Sequence, residues 1–367
     1  MENRVKFFSY YLPQFHQIPE NDEWWGEGFT EWTNVKKAKP LFIGHHQPIF
    51  PAELGYYDLV KTDIMHQQAK MARNYGVDGF VFYHYWFGNE KTLLEKPLLN
   101  FLNDKSIDIE FCICWANESW KGTWHGASNK QLLQEQFYLG IEDYQKHFYF
   151  LLPFFKDSRS LKIDGKPVYQ VYVPESIPDW DVYKNTFDTL AKEEGLQGIY
   201  WIAVKSSNSF EPNQFKINGI VNQNLLNINK YHKKNLKGLI YRYGFSNPII
   251  RKMFKWPKRI PFSIIRNCLE DFKESYLADF FPLAIPNWDN TPRTMENGTV
   301  YTDCSPQAFK KHLQACINQA NKNIDNDKKI VFIKSWNEWA EGNILEPEIK
   351  NGFEYLEVIK TTKRSFI

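Results

Sequence analysis

Two glutamates three residues apart, Glu338 and Glu341, offer the most chemistry in this sequence. They lie in the stretch 336–342, WNEWAEG, where Trp336 and Trp339 flank the first of them. Cleavage of a glycosidic bond needs two carboxyl groups with different tasks, one ionised and one protonated. Indole walls would raise the pKa of one carboxyl by desolvation, while hydrogen bonds keep the other ionised. The alternative is an exposed helix start at which both acids complement the helix dipole.

Similar clusters of polar and aromatic residues follow other apolar runs of the sequence. No single cluster is diagnostic, but all of them occur where an apolar run ends. We therefore take their members, with the neighbours of the two glutamates, as candidate substrate-binding residues. They are Tyr11, Gln14, His16, Trp32, His84, Tyr85, Trp86, Trp115, Asn117, Glu118, Asn222, Trp288, Asp289, Arg293, Trp336, Asn337 and Trp339.

Several of these candidates also have a purely structural interpretation. Glu118 could serve structural hydrogen bonding, and His84 could be a satisfied core histidine. Asp289 and Arg293 could simply pair with each other. The aromatic stretch 24–32, WWGEGFTEW, could cover the site or pack beneath it.

Eight apolar, β-branched and aromatic runs predict strands, and helix-like stretches lie between them. Consecutive apolar positions are typical of parallel strands that are buried on both faces. The predicted strands are Lys6–Tyr11, Val77–Tyr85, Ile109–Trp115, Pro167–Val173, Ile199–Val204, Gly219–Gln223, Phe280–Pro286 and Ile330–Trp336, and the predicted helices are Asp58–Tyr75, Ile141–Phe155, Trp180–Glu194, Pro306–Asn323 and Phe353–Lys363. This alternation predicts an α/β fold, a (β/α)8 TIM-type barrel with long loops, in one catalytic domain spanning residues 1–367.

The barrel prediction explains why the polar clusters share one position. Residues just past the carboxyl end of each barrel strand build the active site of such a fold. A doubly wound open sheet is the alternative fold. No Gly-rich phosphate loop follows any predicted strand, which weakens that alternative as a nucleotide-binding fold.

The composition limits the class of protein. Hydrophobic residues make up 43% and the net charge is +2, which excludes a disordered or fibrous chain and argues against a nucleic-acid partner. Aromatic residues reach 17%, which fits a bulky core or rings on which sugars stack. No apolar run approaches the ~18 residues of a membrane span. The start leaves no room for a signal peptide, and five cysteines are an odd number without metal-like spacing. We expect a cytoplasmic protein that uses no cofactor and no metal.

One segment differs from the rest in charge. Residues 230–266 contain eleven Lys or Arg and no Asp or Glu, so the remaining chain carries 2 − 11 = −9. Such asymmetry indicates an anionic partner or a solvated loop balanced by the acidic remainder. The segment also carries apolar residues, which suits peripheral contact with an anionic inner membrane. We treat it as a basic insertion between the sixth and seventh strands.

The motifs together resemble a known family. The stretches 11–16 (YLPQFH), 21–34 (NDEWWGEGFTEWTN), 46–48 (HQP), 83–86 (YHYW), 115–118 (WANE), 288–293 (WDNTPR) and 336–342 (WNEWAEG) are similar in kind and order to those of the WbsX-type proteins. Members of that family occur in bacterial O-antigen and capsule gene sets and are often labelled glycosyltransferases. Their domain resembles the endo-α-1,2-mannosidase glycoside hydrolases, which are (β/α)8 barrels.

The resemblance implies roles for the two glutamates. Glu338 corresponds to the carboxylate that takes the proton from the 2-hydroxyl of the sugar, so that this oxygen attacks the anomeric carbon. Glu341 corresponds to the acid that protonates the leaving oxygen and then acts as the base. The hydrolases carry a histidine where this sequence has Ala340.

Three classes of function follow. The first is a retaining enzyme that cleaves or transfers a glycosidic bond in an oligosaccharide or lipid-linked glycan. The second is a glycosyltransferase that uses an activated donor. For that class, 179–181 (DWD) and 325–327 (DND) have the spelling of a metal-binding Asp-x-Asp element, although helix capping also explains them. The third is a glycan-binding protein without catalysis.

Overall fold

The computed structural model describes residues 5–122, 131–205, 212–223, 247–272 and 278–365. Within these ranges, nine parallel segments form one sheet that curves into a nearly closed barrel. In chain order they are Lys6–Tyr11, Gly79–His84, Glu110–Trp115, Lys166–Val171, Tyr200–Lys205, Gly219–Asn222, Asp279–Phe281, Leu283–Ala284 and Ile330–Ile333. Every strand predicted from an apolar run is present, and the predicted TIM-type (β/α)8 fold is confirmed.

The seventh strand closes the barrel in two parts. Asp279–Phe281 pairs with the sixth strand, and Leu283–Ala284 pairs with the eighth. Pro282 lies between the two parts and has no N–H to donate, but its carbonyl accepts a hydrogen bond from Phe332 N at 3.0 Å. The eighth strand in turn pairs with the first, with Phe7 opposite Val331. The ring of strands is thereby completed.

Large side chains fill the barrel and set the spacing of its strands. The second and eighth strands are buried along their whole length. Tyr10 stacks on Tyr83 with ring centroids 5.5 Å apart and also contacts Phe332. Gly79 leaves room for the ring of Phe8, because a Cβ at position 79 would lie 2.1 Å from Cε1 of Phe8. Much of the aromatic surplus is therefore core.

The long helices lie where the sequence predicts them. They are Thr62–Asn74, Ile141–Lys156, Trp180–Glu193, Pro306–Ala320 and Glu354–Arg364. The shorter helices, which we did not predict, are Pro19–Trp25, Glu31–Lys37, Glu95–Asn103, Pro248–Phe254, Phe262–Leu269 and Thr291–Thr294. Most of these belong to loops whose apolar spacing covers too few turns to be distinctive. Within the described residues, no helix combines the length and apolar character that a membrane crossing needs.

Short strand pairs brace the loops beyond the barrel. Trp120–Lys121 pairs with Leu132–Gln134, and Asn337–Glu338 pairs with Asn343–Ile344. Lys258–Pro261 runs parallel to Thr299–Thr302. Lys162–Ile163 pairs with the fourth strand. The first two pairs follow the third and eighth strands directly, so they shape the mouth at the carboxyl ends of the strands.

Candidate active site

A cleft of about 300 Å³ opens at the carboxyl ends of the barrel strands. Residues at or just beyond the carboxyl ends of the first, second, third, fourth, seventh and eighth strands contribute to its walls. They are Leu12, Gln14, Tyr83, Tyr85, Ala116, Glu118, Trp120, Tyr172, Asn290, Arg293, Thr294, Lys334, Glu338 and Glu341. The cleft therefore combines four aromatic rings with three carboxyls and two cations.

One tight turn places both glutamates in this cleft. Trp339–Glu341 is a single turn of 3₁₀ helix, in which side chains three residues apart lie above one another. Glu338 and Glu341 consequently face the same side. The chain reverses at Gly342, whose φ is +54°, and a Cβ there would lie 2.9 Å from Asp289 Cβ. Only glycine fits this turn without strain or collision.

Asn337 fastens this turn to the loop after the first strand. Its Oδ1 accepts a hydrogen bond from Leu12 N at 2.7 Å, and its Nδ2 donates to Leu12 O at 3.0 Å. The side chain is fully buried and does not face the cleft. Asn337 thus fixes the position of its neighbour Glu338 relative to the first strand.

Trp336 and Trp339 point away from the cleft, although we expected them to wall the catalytic pair. Their indole nitrogens donate to the carboxylate of Glu346 at 2.9 and 2.6 Å. Gln68 Nε2 and Tyr57 Oη donate to the same carboxylate at 2.6 and 2.9 Å. The two indoles are therefore held beneath the turn by a buried acceptor, and they support it from below.

We expect Glu346→Gln to lower the free energy of unfolding by about 2–4 kcal/mol, because an amide nitrogen would face donors that now share a carboxylate. Burial raises the pKa of Glu346 to about 7, but four donors on its oxygens favour the ionised form. Urea unfolding followed by tryptophan fluorescence measures the change. The exposed Glu357→Gln is the matched control and should stay within about 0.5 kcal/mol. Equal stability of the two variants would show that this network contributes nothing.

Glu338 is a buried carboxyl at the floor of the cleft, with only 4% of its surface exposed. Burial raises its pKa to about 8. The positive charge of Lys334 opposes this rise, and the negative charge of Glu341 adds to it. At neutral pH the proton therefore resides on Glu338, which shares a hydrogen bond with Glu341.

Glu341 has the opposite electrostatic environment. Burial alone would raise its pKa, but Arg293, the hydrogen bond with Glu338 and the charge of Lys334 together outweigh that effect and hold the pKa below its usual value. Arg293 Nη1 donates to Glu341 Oε1 at 2.6 Å, and Arg293 Nε donates to Glu31 Oε2 at 3.1 Å. Glu31 itself is fully buried. Arg293 therefore ties the ionised member of the pair to the helix Glu31–Lys37, and it does not pair with Asp289.

Lys334 supplies the second cation of the cleft. It follows the eighth strand directly, and its ammonium lies 5.2 Å from the centroid of the Trp288 ring. Burial would lower its pKa, but the surrounding Tyr172, Glu338 and Glu341 raise it overall. Lys334 is therefore charged, and its charge limits the rise in the pKa of Glu338.

Six of the predicted site residues meet in the cleft. They are Gln14, Tyr85, Glu118, Arg293, Glu338 and Glu341. Burial raises the pKa of Glu118, which is a third carboxyl in the cleft but is not part of the hydrogen-bonded pair. Glu118 can therefore serve as a control when the two paired glutamates are substituted.

Other predicted residues are buried and do not line the cleft. His84 Nε2 lies 3.0 Å from His147 Nε2, and burial lowers the pKa of His84 to about 3, so it is a neutral core histidine. The rest make buried hydrogen bonds to scaffold groups: Tyr11 to Gln68, His16 to Pro13 O, Trp32 to Tyr57 O, Trp86 to Asp143, Trp115 to Trp86 O and Asn117 to Val173. They position the site and do not line it.

Trp288 and Asp289 line a second cavity beside the cleft. Asp289 Oδ2 accepts from Gln47 Nε2 at 2.7 Å and is the partner of His45 Nε2 at the same distance. Its backbone N–H donates to Glu341 O at 2.6 Å. Asp289 therefore organises the loops around the turn. Asn222 ends the sixth strand, and its side chain lies outside the described residues.

The aromatic stretch 24–32 packs beneath the site at one end, and none of its residues lines the cleft. Trp32 packs beneath the turn against Trp339, with ring centroids 5.5 Å apart. Trp24 instead contacts Trp120, one of the residues that line the cleft. One end of the stretch therefore supports the turn, and the other end touches the cleft wall.

Our sequence reasoning missed several residues that line the cleft. These are Leu12, Tyr83, Ala116, Trp120, Tyr172, Asn290, Thr294 and Lys334. The two-residue period of a strand would have found one of them, because Tyr83 and Tyr85 share a face while His84 faces the helices. The period of a strand gives no signal for Asn290 or Thr294, because they lie at the two ends of the short helix Thr291–Thr294 beyond the seventh strand.

Comparisons with known proteins agree with this architecture. A family model described as glycosyltransferase WbsX matches residues 7–359. The uncharacterized protein WxcX of Xanthomonas campestris pv. campestris (strain B100) is 33% identical over 354 residues, which are 96% of this chain and 48% of the relative. The WxcX of strain ATCC 33913 is 32% identical with the same coverage. The chain thus spans about half the length of the curated relatives it matches.

Solved structures share the fold at low sequence identity. The GH99 endo-α-mannosidase from Bacteroides thetaiotaomicron, in complex with bis-tris propane, has a TM-score of 0.60 and 15% identity over 100% of this chain and 98% of that chain. A glycoside hydrolase-like protein has a TM-score of 0.57 and 12% identity over 98% and 94% of the two chains. At this level of identity the likeness concerns the barrel.

Proposed function

Because the chain belongs to the WbsX glycosyltransferase family, we propose that it is an enzyme of bacterial surface-polysaccharide (O-antigen or capsule) metabolism that acts on a glycosidic bond. One observation carries the proposal. Two hydrogen-bonded glutamates in a strand-end cleft have pKa values shifted in opposite directions. Such a pair provides one acid and one base at the same pH. The substrate is an oligosaccharide or a lipid-linked glycan, and the chemistry requires no cofactor.

The closeness of the two carboxyls favours retention of configuration. An inverting enzyme keeps its carboxyls about 6.5–9.5 Å apart to admit a water between them, whereas retaining enzymes bring them closer. Glu338 and Glu341 interact directly with each other in the empty cleft, which fits the closer arrangement. A retaining reaction delivers the glycosyl group either to water or to the hydroxyl of another sugar.

The family resemblance implies an order of proton transfers, and Glu338 and Glu341 alone can carry out all of them. Glu338 takes the proton of the 2-hydroxyl, the 2-oxygen bonds to the anomeric carbon, and the glycosidic bond breaks as its oxygen receives the proton of Glu341. In the second half, the acceptor hydroxyl loses its proton to Glu341 and attacks the anomeric carbon. The bond between the 2-oxygen and the anomeric carbon breaks as the 2-oxygen regains its proton from Glu338, and both carboxyls return to their starting state.

This order requires the single proton of the pair to lie on Glu341 once substrate is bound, whereas burial keeps it on Glu338 in the empty cleft. Substrate supplies a reason for the shift. A sugar hydroxyl that donates to Glu338 stabilises its ionised form and lowers its pKa. The existing hydrogen bond between the two carboxyls offers the proton a direct route to Glu341.

We expect a bell-shaped dependence of kcat/KM on pH, with the midpoint of its basic limb near pH 8. The pair works with one proton, and that proton leaves as pH rises through the pKa of Glu338, about 8. The acidic limb falls below the usual pKa of a glutamate, because Arg293 keeps Glu341 ionised to lower pH. Initial rates from pH 3 to 10 measure both limbs. A basic limb at pH 5 would contradict the assignment.

Lys334→Met should move the basic limb to higher pH, because the ammonium of Lys334 lowers the pKa of Glu338. The same pH–rate series measures the displacement. The matched control is Lys70→Met, which removes an exposed lysine that does not line the cleft and should leave the profile unchanged. A downward displacement in Lys334→Met would show that this charge does not act on the pair as proposed.

The family description favours a second candidate, transfer from a nucleotide-activated sugar. Neither Asp-x-Asp sequence supports it. Asp179 accepts a hydrogen bond from Tyr144, and Asp325 pairs with Lys328 at 3.1 Å. None of these aspartates lines the cleft. Thermal shift separates the candidates: stabilisation by oligosaccharides of surface glycans supports the proposal, and stabilisation by nucleotide sugars alone favours the second candidate.

A further inference from the structure

We propose that residues 247–259, which we call the basic foot, bind the anionic headgroups of a lipid bilayer beside the mouth of the cleft. The foot consists of the helix Pro248–Phe254, the connection at Lys255–Pro257 and the start of the strand Lys258–Pro261. It is part of the basic insertion. Its composition, its exposed side chains and its attachment to the cleft support the proposal independently of any enzyme chemistry.

Apolar side chains of the helix are exposed to an unusual degree. Ile249 is 71%, Met253 73% and Phe254 56% exposed. The spacing of these residues, four apart and then adjacent, puts them on neighbouring parts of one helical surface. An isolated exposed apolar residue is ordinary, but a group on one short helix marks an interaction surface.

Two exposed cations lie among these apolar residues. Lys252 and Lys255 are exposed, whereas Arg251, Lys258 and Arg259 are partly buried in the foot. The foot contains no acidic residue, and neither does the whole segment 230–266. Exposed apolar side chains next to exposed lysines are typical of segments that lie in the headgroup region of an anionic membrane. A protein partner would more often meet mixed charges.

A second loop brings further apolar surface to the foot. The guanidinium of Arg259 lies 4.7 Å from the ring centroid of Phe42 and 4.9 Å from that of Trp256. Phe42 thus packs near the foot, and its neighbour Ile43 is fully exposed. Two separate parts of the chain therefore present apolar side chains in the same region.

The foot is attached to the loop that carries Asn290 and Arg293 of the cleft. Lys258 N donates to Gly298 O at 2.8 Å, and Arg251 Nη2 donates to Glu296 O at 3.3 Å. The same loop begins with the turn Thr291–Thr294, which holds Arg293 in the cleft. A bilayer under the foot would therefore lie next to the cleft. Given the proposed function, this arrangement suits a glycan that is still attached to its lipid.

Vesicle flotation tests the proposal with the full chain. We expect the protein to float with vesicles of phosphatidylcholine containing 30 mol% phosphatidylglycerol, roughly the charge of an anionic bilayer. We expect it to stay in solution with pure phosphatidylcholine and to dissociate as salt is raised, because salt screens the headgroup attraction. Equal flotation with neutral vesicles, or no flotation at low salt, overturns the proposal.

Variants locate the contact. One variant removes the apolar face: Ile249→Ser/Met253→Ser/Phe254→Ser. A second variant removes positive charge: Lys252→Glu/Lys255→Asn. We expect each variant to lose about tenfold or more of its vesicle binding. The matched control is Ile324→Ser/Ile349→Ser, which removes two exposed isoleucines elsewhere, 94% and 69% exposed. Binding of both foot variants at the control level overturns the proposal, as does binding of soluble polyanions with no binding of vesicles.

The same variants keep this inference separate from the proposed function. None of the substituted residues lines the cleft, so activity on a soluble oligosaccharide should be unchanged. An inactive protein that still floats through the foot would reject the enzyme and keep the membrane contact. An active protein that does not float would do the reverse.

Discussion

Glu338→Gln and Glu341→Gln should each lower turnover by about 10³-fold or more while the protein folds and binds glycan normally. General acid–base catalysis by one positioned group contributes about 10²–10⁴-fold, and each variant removes one member of the pair that shares a proton. Glutamine has nearly the same shape, so the turn at Trp339–Glu341 should persist. Initial rates on a glycan substrate, circular dichroism and calorimetric binding measure the three properties.

The control for this experiment is Glu118→Gln. Glu118 lies in the same cleft and its pKa is also raised by burial, but it is outside the hydrogen-bonded pair. We expect less than about a tenfold change in kcat, with any effect mainly on KM. Full activity in either paired variant would remove the catalytic assignment, and a glycan-binding protein without catalysis would then explain the cleft.

A substrate with a good leaving group tests which glutamate is the acid. Such a leaving group departs without protonation, so loss of the acid is tolerated and loss of the base is not. With the proposed order, Glu341→Gln recovers activity on an activated aryl glycoside, and Glu338→Gln does not. The reverse pattern would show that the proton stays on Glu338 throughout, as burial favours in the empty cleft.

Arg293→Met should lower the free energy of unfolding by about 3–5 kcal/mol and also abolish most activity. Arg293 joins two buried carboxylates, at 3.1 Å to Glu31 and 2.6 Å to Glu341, and removing one partner leaves uncompensated buried charge. Without the guanidinium the pKa of Glu341 rises, so the pair loses its ionised member. Urea unfolding and initial rates measure both effects.

The loss of stability in Arg293→Met should depend on pH in a defined direction. Burial raises the pKa of Glu31 even with Arg293 present, and more so in its absence. A carboxyl whose pKa is raised by folding destabilises the protein as pH rises through that pKa, because the folded state holds more protons. The deficit should therefore be larger at pH 8 than at pH 5. A deficit that is independent of pH would contradict the role of Glu31.

The double variant Glu31→Gln/Arg293→Met supplies the matching control. Replacing both partners removes the buried charge that the single variant leaves behind, so the double variant should be more stable than Arg293→Met alone. Additive losses would show that the two residues do not interact energetically. A second double-mutant cycle, with Glu341→Gln in place of Glu31→Gln, measures how much the ion pair of Arg293 with Glu341 contributes to the free energy of unfolding.

Local pattern was sufficient for the strands and for the place of the acids. Runs such as Ile330–Ile333 are apolar at every position because both faces of a barrel strand are buried. The polar residues that follow each run must then lie at one mouth of the barrel, so Glu338 and Glu341 could be chosen before any contact was known. The short helices in the loops had no comparable signal, because one or two turns do not establish a period.

Tertiary structure decided which side chains enter the cleft and what charges they meet. Arg293 is four residues from Asp289 in the chain but pairs with Glu31, 262 positions away. Trp336 and Trp339 flank Glu338 in sequence, yet Glu346 draws both indoles beneath the turn. Hydrogen bonds and ion pairs form between groups that the closed barrel brings together, and neighbours along a chain need not share a face. The sequence therefore determined the barrel and its acids, and the packing of the loops determined their protonation.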